Sequence, residues 1–383
     1  MQRSLVGSEM CIRDRLNTGN PATFGFGLPD SIKNALMEHM QDGVGYCDFK
    51  GMPQARQAIC DYETSKGIKG ITPDDVFIGN GVSEVVSFAL TPLLNDGDEV
   101  LVPSPSYSLW GNSVYLEDGK PVFYTCDEQA NWYPDIQDIR SKITDKTKAI
   151  VIINPNNPTG VLYPKELLLE IIQVARESGL LIFADEIYDR LVMDGKQHIS
   201  LASLTEDVPV ITLNGLSKSH CLCGYRCGWM VISGPRELTE DYRQGIIQLT
   251  SLRLCANTMA QIVIPAALDD METPASMVRP GGRIYEQREA TVRELEKIDG
   301  LSFVKNDAAF YVFPKLDVKK FNITNDKQFA HDLLDATNIL LVPGSGFDWK
   351  DPDHFRIVML PQADILSDAI RRMGTFLDGY KQK

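Results

Sequence analysis

Short apolar runs alternate with helical patterns between residues 75 and 233. Helical stretches such as Pro164–Gly179 separate several of the apolar runs. The runs are nearly continuous in Val, Ile and Leu, so they predict strands buried on both faces of a mostly parallel sheet between helix layers. Ligands of such α/β sheets bind beyond the carboxyl ends of the strands. The predicted strands are Val76–Gly81, Asp98–Pro103, Pro121–Cys126, Ala149–Pro155, Leu180–Glu186, Pro209–Gly215 and Gly228–Ser233.

The C-terminal part of the chain has a different pattern. Residues 286–298 predict a helix, residues 310–316, 339–345 and 354–360 predict strands, and residues 363–380 predict a closing helix. Helices and strands here do not alternate as regularly as in the preceding part. This α+β pattern predicts a second, smaller domain.

Composition and charge narrow the classes of function. The chain has 383 residues, of which 43% are hydrophobic and 23% charged, as expected for an ordinary globular protein of about two domains. Its net charge of −14 argues against a nucleic-acid or anionic-membrane surface. No apolar run approaches the ~20 residues that span a bilayer. The expected partners are therefore small molecules and other copies of the chain.

The cysteines indicate the compartment and bear on metal binding. Eight cysteines scattered through a long chain do not resemble a disulfide framework and predict a reducing, cytoplasmic setting. Cys221, Cys223 and Cys227 with His220 are zinc-type ligands, but the sequence offers no second ligand pair to complete a tetrahedron. We therefore predict no metal site.

The first fifteen residues lack any helical or strand period and any signal-peptide core. The run from Arg3 to Arg15 resembles a translated sequencing-library adapter. We expect residues 1–15 to be a non-native tail and the authentic sequence to begin abruptly at Leu16, having lost what preceded it.

Polar residues at predicted strand ends indicate the chemistry. Lys218 follows one strand, and the buried carboxylate of Asp185 ends another, where it requires a cationic partner or caps a helix. The glycine turn at residues 79–84 leads into a helix whose free N–H groups suit a phosphate. These pieces require a ligand with a phosphate, a cationic ring and a carbonyl that an amine can attack. Pyridoxal phosphate (PLP) has all three.

Five motifs carry a family resemblance: YCDFKGMPQAR, NPNNPTG, ADEIYD, NGLSK…GYRCGW and HFRIV. They occur in the order and at the spacings of the fold-type I, class I/II aminotransferases, and the resemblance runs from Leu16 to the C-terminus. Within this family the chain most resembles the bacterial alanine (glutamate–pyruvate) aminotransferases. The resemblance implies a large domain with a mostly parallel seven-stranded sheet and a smaller α+β domain. The expected segments are the tail at 1–15, an N-terminal substrate cover belonging to the small domain at 16–45, a PLP-binding domain at 46–285 and a small domain at 286–383.

The resemblance assigns roles around the cofactor ring. Lys218 is expected to hold PLP as an internal Schiff base and then to act as the base of the 1,3-proton shift, which requires a lowered pKa. Asp185 would pair with the protonated ring nitrogen and keep the ring an electron sink. Tyr188 and Asn157 would hydrogen-bond the phenolic ring oxygen, and Tyr107 would stack on the ring face.

The resemblance also assigns the phosphate and the substrate. Arg226 would bind the phosphate with a planar guanidinium, and Tyr46 would reach it from the neighbouring subunit of a homodimer. Many relatives carry a phosphate-binding serine where this chain has Gly215. Further phosphate or cofactor contacts are expected from Gly81, Val82, Ser83 and Ser217. The substrate carboxylate would be bound by Arg356, Asn157 and the backbone around Gly19.

The implied activity is ping-pong transfer of an amino group from L-alanine to 2-oxoglutarate. A valine-type or aromatic amino donor, and a PLP-dependent C–S β-lyase, remain open because they share the cofactor contacts. A ligand-sensing domain of a transcription regulator would require an N-terminal DNA-binding domain and a basic surface, which this sequence lacks. Two roles remain open for Arg253. It could bind the side-chain carboxylate of glutamate across the dimer, or it could form a phosphate-side or structural ion pair. Relatives have an N-terminal arm that packs against the partner subunit. We therefore expect this chain to form a less stable dimer than the authentic protein with its original N-terminus.

Overall fold

The computed structural model describes residues 12–383, so most of the predicted non-native tail lies outside the described residues. At its end Asp14–Arg15 form a short strand that pairs in parallel with Ile339–Leu340. The described strands are β1 (Asp14–Arg15), β2 (Val76–Asn80), β3 (Glu99–Ser104), β4 (Lys120–Asp127), β5 (Tyr133–Pro134), β6 (Thr147–Ile153), β7 (Leu181–Asp185), β8 (Val210–Gly215), β9 (Cys227–Ser233), β10 (Leu301–Ser302), β11 (Tyr311–Val312), β12 (Lys315–Leu316), β13 (Ile339–Leu340), β14 (Val342–Pro343) and β15 (Phe355–Val358).

The helices fall between and after these strands. The described helices are α1 (Asp30–His39), α2 (Pro53–Ser65), α3 (Val82–Leu90), α4 (Leu109–Leu116), α5 (Ile136–Lys142), α6 (Lys165–Ser178), α7 (Leu216–Ser219), α8 (Arg236–Arg253), α9 (Thr258–Ile262), α10 (Ile264–Asp269), α11 (Glu272–Val278), α12 (Arg283–Leu295), α13 (Val318–Phe321), α14 (Asp326–Thr337) and α15 (Ala363–Gly379).

The large sheet confirms the predicted α/β fold class. Its strand order is β2-β9-β8-β7-β6-β3-β4-β5, with β4, β3, β6, β7 and β8 parallel to one another. β9 runs antiparallel between β2 and β8. All seven predicted strands are present in this sheet. The eighth, β5, pairs only with Cys126 and Asp127, and a two-residue strand carries no apolar run that sequence analysis could detect.

The sheet is buried on both faces because its strands alternate between two cores. Along β6, Ile150 and Ile152 join one hydrophobic cluster with the apolar face of α6. Val151 and Ile153 point to the other side and join a cluster that includes the buried residues of α3. This period-two alternation with apolar residues on both sides explains why the strands read as continuous hydrophobic runs.

The C-terminal residues build smaller sheets around a separate core. β15 lies between β11 and β14, antiparallel to both. The buried face of α15, including Leu366, Ile370 and Met373, packs in one cluster with Leu16 and with Ile357 of β15. The N-terminal segment therefore packs with the C-terminal elements. The predicted domain boundaries stay predictions.

No single helix in the described part of the chain is long and apolar enough to cross a membrane. Arg236–Arg253 and Thr258–Asp269 meet the criteria of length and composition only as a pair, and the two are bent by 120°.

Candidate active site

A cavity of about 310 Å³ lies at the carboxyl edge of the large sheet. β2, β6, β7 and β8 end at this edge, and each leads into a segment that contributes to the cavity wall. The structure brings together there every predicted site residue except Gly81 and Tyr46. The lining residues are Thr18, Gly19, Val82, Ser83, Tyr107, Leu109, Ile153, Asn157, Asp185, Ile187, Tyr188, Ser217, Lys218, Cys223, Arg226, Tyr311 and Arg356.

Lys218 enters the cavity from the short helix α7. The helix begins immediately after Gly215, where a Cβ would lie 2.5 Å from the Cys227 carbonyl oxygen and 3.0 Å from the Gly228 Cα of β9. A serine at position 215 would therefore clash with β9, which explains the glycine at this position. The Lys218 Nζ donates a hydrogen bond to the carbonyl oxygen of Gly19 at 2.8 Å. The N-terminal segment thus covers the amine directly.

Asp185 ends β7 with a buried carboxylate that no cation neutralises among its hydrogen-bond partners. The Trp110 Nε1–H donates to Oδ2 at 3.0 Å, and the Ile187 N–H donates to Oδ1 at 3.4 Å. Burial raises the pKa of Asp185 to about 6, against the lowering effect of the Trp110 hydrogen bond. No α-helix begins after Asp185, so the carboxylate is not a helix cap. It is suited to receive a cationic ring nitrogen.

Trp110 contacts the predicted site residue Asp185, although the sequence does not indicate this contact. It lies in α4, is fully buried and packs 5.3 Å from the Phe183 ring centroid. A tryptophan at an apolar helical position is read as core, and only its distance to Asp185 reveals that the indole N–H has a polar role. The available signal was its nearness to the predicted ring-stacking Tyr107, which lies just before α4 and whose carbonyl oxygen accepts a hydrogen bond from the Trp110 backbone N–H at 3.2 Å.

The N-terminus of α3 and Arg226 form an anion site at one end of the cavity. α3 begins after Gly81, which has a φ of 86° and provides no side-chain cap, so the first N–H groups at Val82 and Ser83 have no capping partner. Arg226 has a φ of 57°, and its guanidinium approaches Gly81 so closely that a Cβ there would collide with it. Gly81 thus lies behind the arginine rather than in the cavity wall. Free helix N–H groups with a guanidinium suit a phosphate.

Arg356 supplies a buried cation to the wall of the cavity. The residue is 7% exposed, and its Nη1 and Nη2 donate to Asn157 Oδ1 at 2.9 Å and to the Asn17 carbonyl oxygen at 2.7 Å. Its guanidinium carbon lies 4.6 Å from the Tyr311 ring centroid and 4.5 Å from that of Phe347. Both hydrogen-bond acceptors are neutral, Nε has no partner, and burial lowers the pKa. A bound carboxylate would neutralise this charge.

Two tyrosine hydroxyls meet in the wall of the cavity. Tyr188 Oη and Tyr311 Oη lie 2.8 Å apart, and burial raises the pKa of Tyr188 well above its ordinary value. Tyr107 stands at the cavity edge and is 43% exposed. Tyr311 was missed because it lies in a strand that reads as apolar core. The other lining residues outside the predicted set are Thr18, Leu109, Ile153, Ile187 and Cys223.

Tyr46 and Arg253 lie outside the cavity lining. Tyr46 is 85% exposed on a loop and does not line the cavity that contains Val82, Ser83 and Arg226. Arg253 forms an ion pair with Glu84 at 2.6 Å and donates to the carbonyl oxygens of Phe49 and Ile78. These contacts give Arg253 a structural role that ties α8 to α3 and β2.

Side chains of the kinds that bind metals also lie outside the cavity lining, but other protein groups already contact them. The His220 ring nitrogens lie 3.0 Å from Ser219 Oγ and 3.2 Å from the Asp270 carbonyl oxygen. Glu186, Asp189 and His198 place their ligand atoms within 4.8 Å of one another. The Lys66 ammonium, however, lies 2.7 Å from Glu186 and 3.1 Å from Asp189. It therefore supplies the positive charge that a metal ion would bring to this cluster.

The charges in the cavity fit PLP with a bound amino acid. The helix N-terminus and Arg226 match the phosphate, the unneutralised Asp185 matches a protonated ring nitrogen, and Lys218 supplies the amine. Arg356, with its unpartnered Nε, matches a substrate carboxylate. PLP with a bound amino acid would supply the partner that each of these protein groups lacks, so the residues fit the cofactor.

Comparison with known proteins gives consistent matches over nearly the whole chain. The family described as "Aminotransferase class I and II" matches residues 15–370. A "Glutamate-pyruvate aminotransferase AlaA" of Haemophilus influenzae is 51% identical over 96% of this chain and 91% of that protein. An "Alanine aminotransferase" of Mycobacterium tuberculosis is 46% identical over 96% of this chain and 86% of that protein. A solved aminotransferase from Escherichia coli superposes with a TM-score of 0.96 at 46% identity, covering 100% of this chain and 94% of that one.

Proposed function

The chain belongs to the class I and II aminotransferase family, whose members are PLP-dependent, and on that premise we propose that it is an alanine aminotransferase. L-alanine gives its amino group and leaves as pyruvate, and 2-oxoglutarate then accepts the group and leaves as glutamate. Relatives named glutamate–pyruvate and alanine aminotransferase support this substrate pair. The observation that carries the proposal is one cavity holding an amine, a buried carboxylate and a buried guanidinium whose hydrogen-bond partners are all uncharged.

PLP, when bound, supplies an electron-withdrawing ring that makes the Cα proton of an attached amino acid acidic. Asp185 keeps the ring nitrogen protonated, because a buried carboxylate strongly favours a cation beside it. Lys218 binds the cofactor and afterwards moves the proton at the substrate Cα. Its Nζ donates to the Gly19 carbonyl oxygen in this structure, so the same contact can hold the amine in place after the substrate displaces it.

Arg356 and its hydrogen-bond partners would orient the substrate. Arg356 binds the α-carboxylate through a guanidinium whose other donors are fixed by Asn157 and by the Asn17 carbonyl oxygen. Asn157 and Tyr188 would hydrogen-bond the phenolic oxygen of the cofactor ring. The backbone from Thr18 to Gly19 covers the site and excludes water. Arg226 and the free N–H groups of Val82 and Ser83 would hold the phosphate.

A homodimer with shared sites is part of the proposal. Tyr46 is 85% exposed and its loop carries Val44, which is 76% exposed. Exposed apolar side chains of this size next to a tyrosine support burial against a second copy of the chain. In that arrangement Tyr46 would reach the phosphate bound by the partner subunit.

The cytoplasmic location also stays a proposal. The seven cysteines among residues 12–383 are free thiols, several of them buried, as expected for a protein that folds in a reducing compartment.

The test is the near-ultraviolet and visible spectrum of PLP-loaded protein. L-alanine should abolish the visible band and form pyruvate, and 2-oxoglutarate should then restore the band and form glutamate. A protein that releases pyruvate and ammonia from cystathionine without an oxo-acid acceptor would instead be a C–S β-lyase. A band that valine or an aromatic amino acid discharges, but alanine does not, would replace the proposed donor.

A further inference from the structure

Tyr311 lines the cavity in contact with both Arg356 and Tyr188. It belongs to β11 and pairs with Val358 of β15, two residues from Arg356. Its side chain is 2% exposed overall and lines the cavity together with Tyr188. The strand pairing therefore fixes a phenol next to both the arginine for the substrate and the tyrosine for the cofactor ring.

Three contacts surround this phenol. Its hydroxyl lies 2.8 Å from the Tyr188 hydroxyl, and the guanidinium carbon of Arg356 lies 4.6 Å from the centroid of its ring. The third contact is with the covering segment, because a Cβ at Gly19 would collide with the Tyr311 hydroxyl. The same glycine accepts the hydrogen bond from Lys218. One side chain thus touches the groups that hold the cofactor, the substrate and the cover.

The two hydroxyls have only two protons between them. Their contact uses one proton, so the hydroxyl that accepts keeps its own proton for a second partner, and the hydroxyl that donates does not. Within residues 12–383 each hydroxyl has the other as its one hydrogen-bond partner. The direction of this hydrogen bond therefore determines which tyrosine can donate into the cavity.

The surroundings favour Tyr311 as the donor. The Arg356 guanidinium over the Tyr311 ring draws electron density from the phenol and strengthens its O–H as a donor. The Tyr188 ring instead meets Phe310 and Tyr311 edge to face, at centroid distances of 5.8 and 5.6 Å. Burial raises the pKa of Tyr188, so this phenol keeps its proton and remains able to donate.

Resting on the aminotransferase function proposed above, we propose that Tyr311 is a positioning residue whose hydroxyl donates to Tyr188 and thereby directs the Tyr188 proton to the ring oxygen of bound PLP. An oxygen that accepts a hydrogen bond becomes a stronger donor through its own O–H. Tyr311 therefore strengthens the contact of Tyr188 with the ring oxygen. It does so without touching the reacting atoms.

The test is Tyr311→Phe, which keeps the ring and its stacking with Arg356 and removes only the hydroxyl. A donor on the ring oxygen competes with the protonated Lys218 nitrogen for that oxygen. Weakening this donor lets the nitrogen hold its proton to higher pH. The pH midpoint of the visible spectral change of PLP-loaded protein should rise by about 0.5 to 1 unit, the size expected for one neutral hydrogen bond.

Two comparisons separate this role from packing. Tyr124→Phe also removes a buried hydroxyl, one that donates to the Val151 carbonyl oxygen at 2.8 Å away from the cavity, and should leave the midpoint unchanged. Tyr188→Phe should raise the midpoint further than Tyr311→Phe. In the Tyr188→Phe background, Tyr311→Phe should add nothing, because its effect passes through Tyr188.

The outcomes are distinct. A Tyr311→Phe midpoint equal to that of the wild type, in a protein that melts at the same temperature as Tyr124→Phe, would overturn the positioning role. A shift that persists in the Tyr188→Phe background would also overturn it, since Tyr311 would then act by another route. A wild-type protein with no PLP band would overturn the proposed function itself, and this inference with it.

Discussion

Replacing Asp185 by Asn should stabilise the cofactor-free protein while removing its activity. The wild-type carboxylate is 4% exposed and burial raises its pKa from 3.8 to about 6. Asn keeps the shape and an oxygen that accepts from Trp110 Nε1–H. It removes a charge that no hydrogen-bonded cation neutralises in the cofactor-free protein, so the buried carboxylate is an energetic cost that the cofactor offsets.

The magnitude follows from the pKa difference. A group whose folded pKa is raised contributes stability that is fully present below its unfolded pKa and is lost as pH rises through its folded pKa. For Asp185 this loss runs from about pH 4 to about pH 6. At 1.36 kcal/mol per unit, Asp185→Asn should gain roughly 3 kcal/mol over wild type at pH 8 and roughly 1.5 kcal/mol at pH 5.

The assay is urea unfolding of both proteins without PLP, at one protein concentration and across this pH range. Asp75→Asn is the matched control, because Asp75 is also buried but pairs with Arg243, so its replacement should destabilise. Saturating PLP should remove the advantage of Asp185→Asn by stabilising the wild type more. A variant that is no more stable at pH 8, or whose gain does not change with pH, would refute the reasoning.

Three further predictions concern the substrate, the core and the dimer. Arg356→Lys loses the bidentate contact, so kcat/KM for L-alanine should fall roughly 10- to 100-fold in steady-state assays, with the PLP spectrum unchanged. Arg253→Met breaks the ion pair with Glu84, so urea unfolding should show a loss of about 1–3 kcal/mol while KM for glutamate stays within about twofold. If Tyr46 acts across the dimer, mixing inactive Lys218→Ala with weakened Tyr46→Ala subunits should restore one complete site per hybrid and raise the activity.

Each of these predictions has an outcome that contradicts it. An Arg356→Lys protein with unchanged kcat/KM would place the carboxylate elsewhere. If Arg253→Met raised the KM for glutamate strongly without changing stability, Arg253 would instead be a substrate-binding residue. The control is Arg236→Met, which removes an exposed ion pair with Glu240. Hybrids no more active than the Tyr46→Ala protein alone would mean that Tyr46 acts within its own chain or not at all.

The strands of the large sheet were predictable because its central members, such as β6 to β9, are buried on both faces. Apolar runs such as that of β6 have no polar position to interrupt them, and a parallel arrangement then fixes that their carboxyl ends meet at one edge. Polar residues at those ends, Asp185 and Lys218 among them, stand out against the apolar runs. The short strand β5 was missed because two residues carry no period.

The contacts between distant parts of the chain were not predictable from spacing. Trp110 and Tyr311 read as core, and their polar atoms acquire a role only when tertiary packing brings them to Asp185 and Tyr188. The ion pair of Arg253 likewise depends on how α8 crosses the start of α3. Residue types reveal which groups are chemically able to act, whereas the fold decides which of them meet.

The claim that Lys218 carries the cofactor is tested most directly by borohydride reduction of the PLP-loaded protein, followed by proteolysis and mass spectrometry. Reduction fixes the cofactor to the amine that binds it. The account predicts one labelled peptide, containing Lys218, and no labelled peptide from a Lys218→Ala protein. Label on any other lysine, or full loading without label at Lys218, would contradict the account.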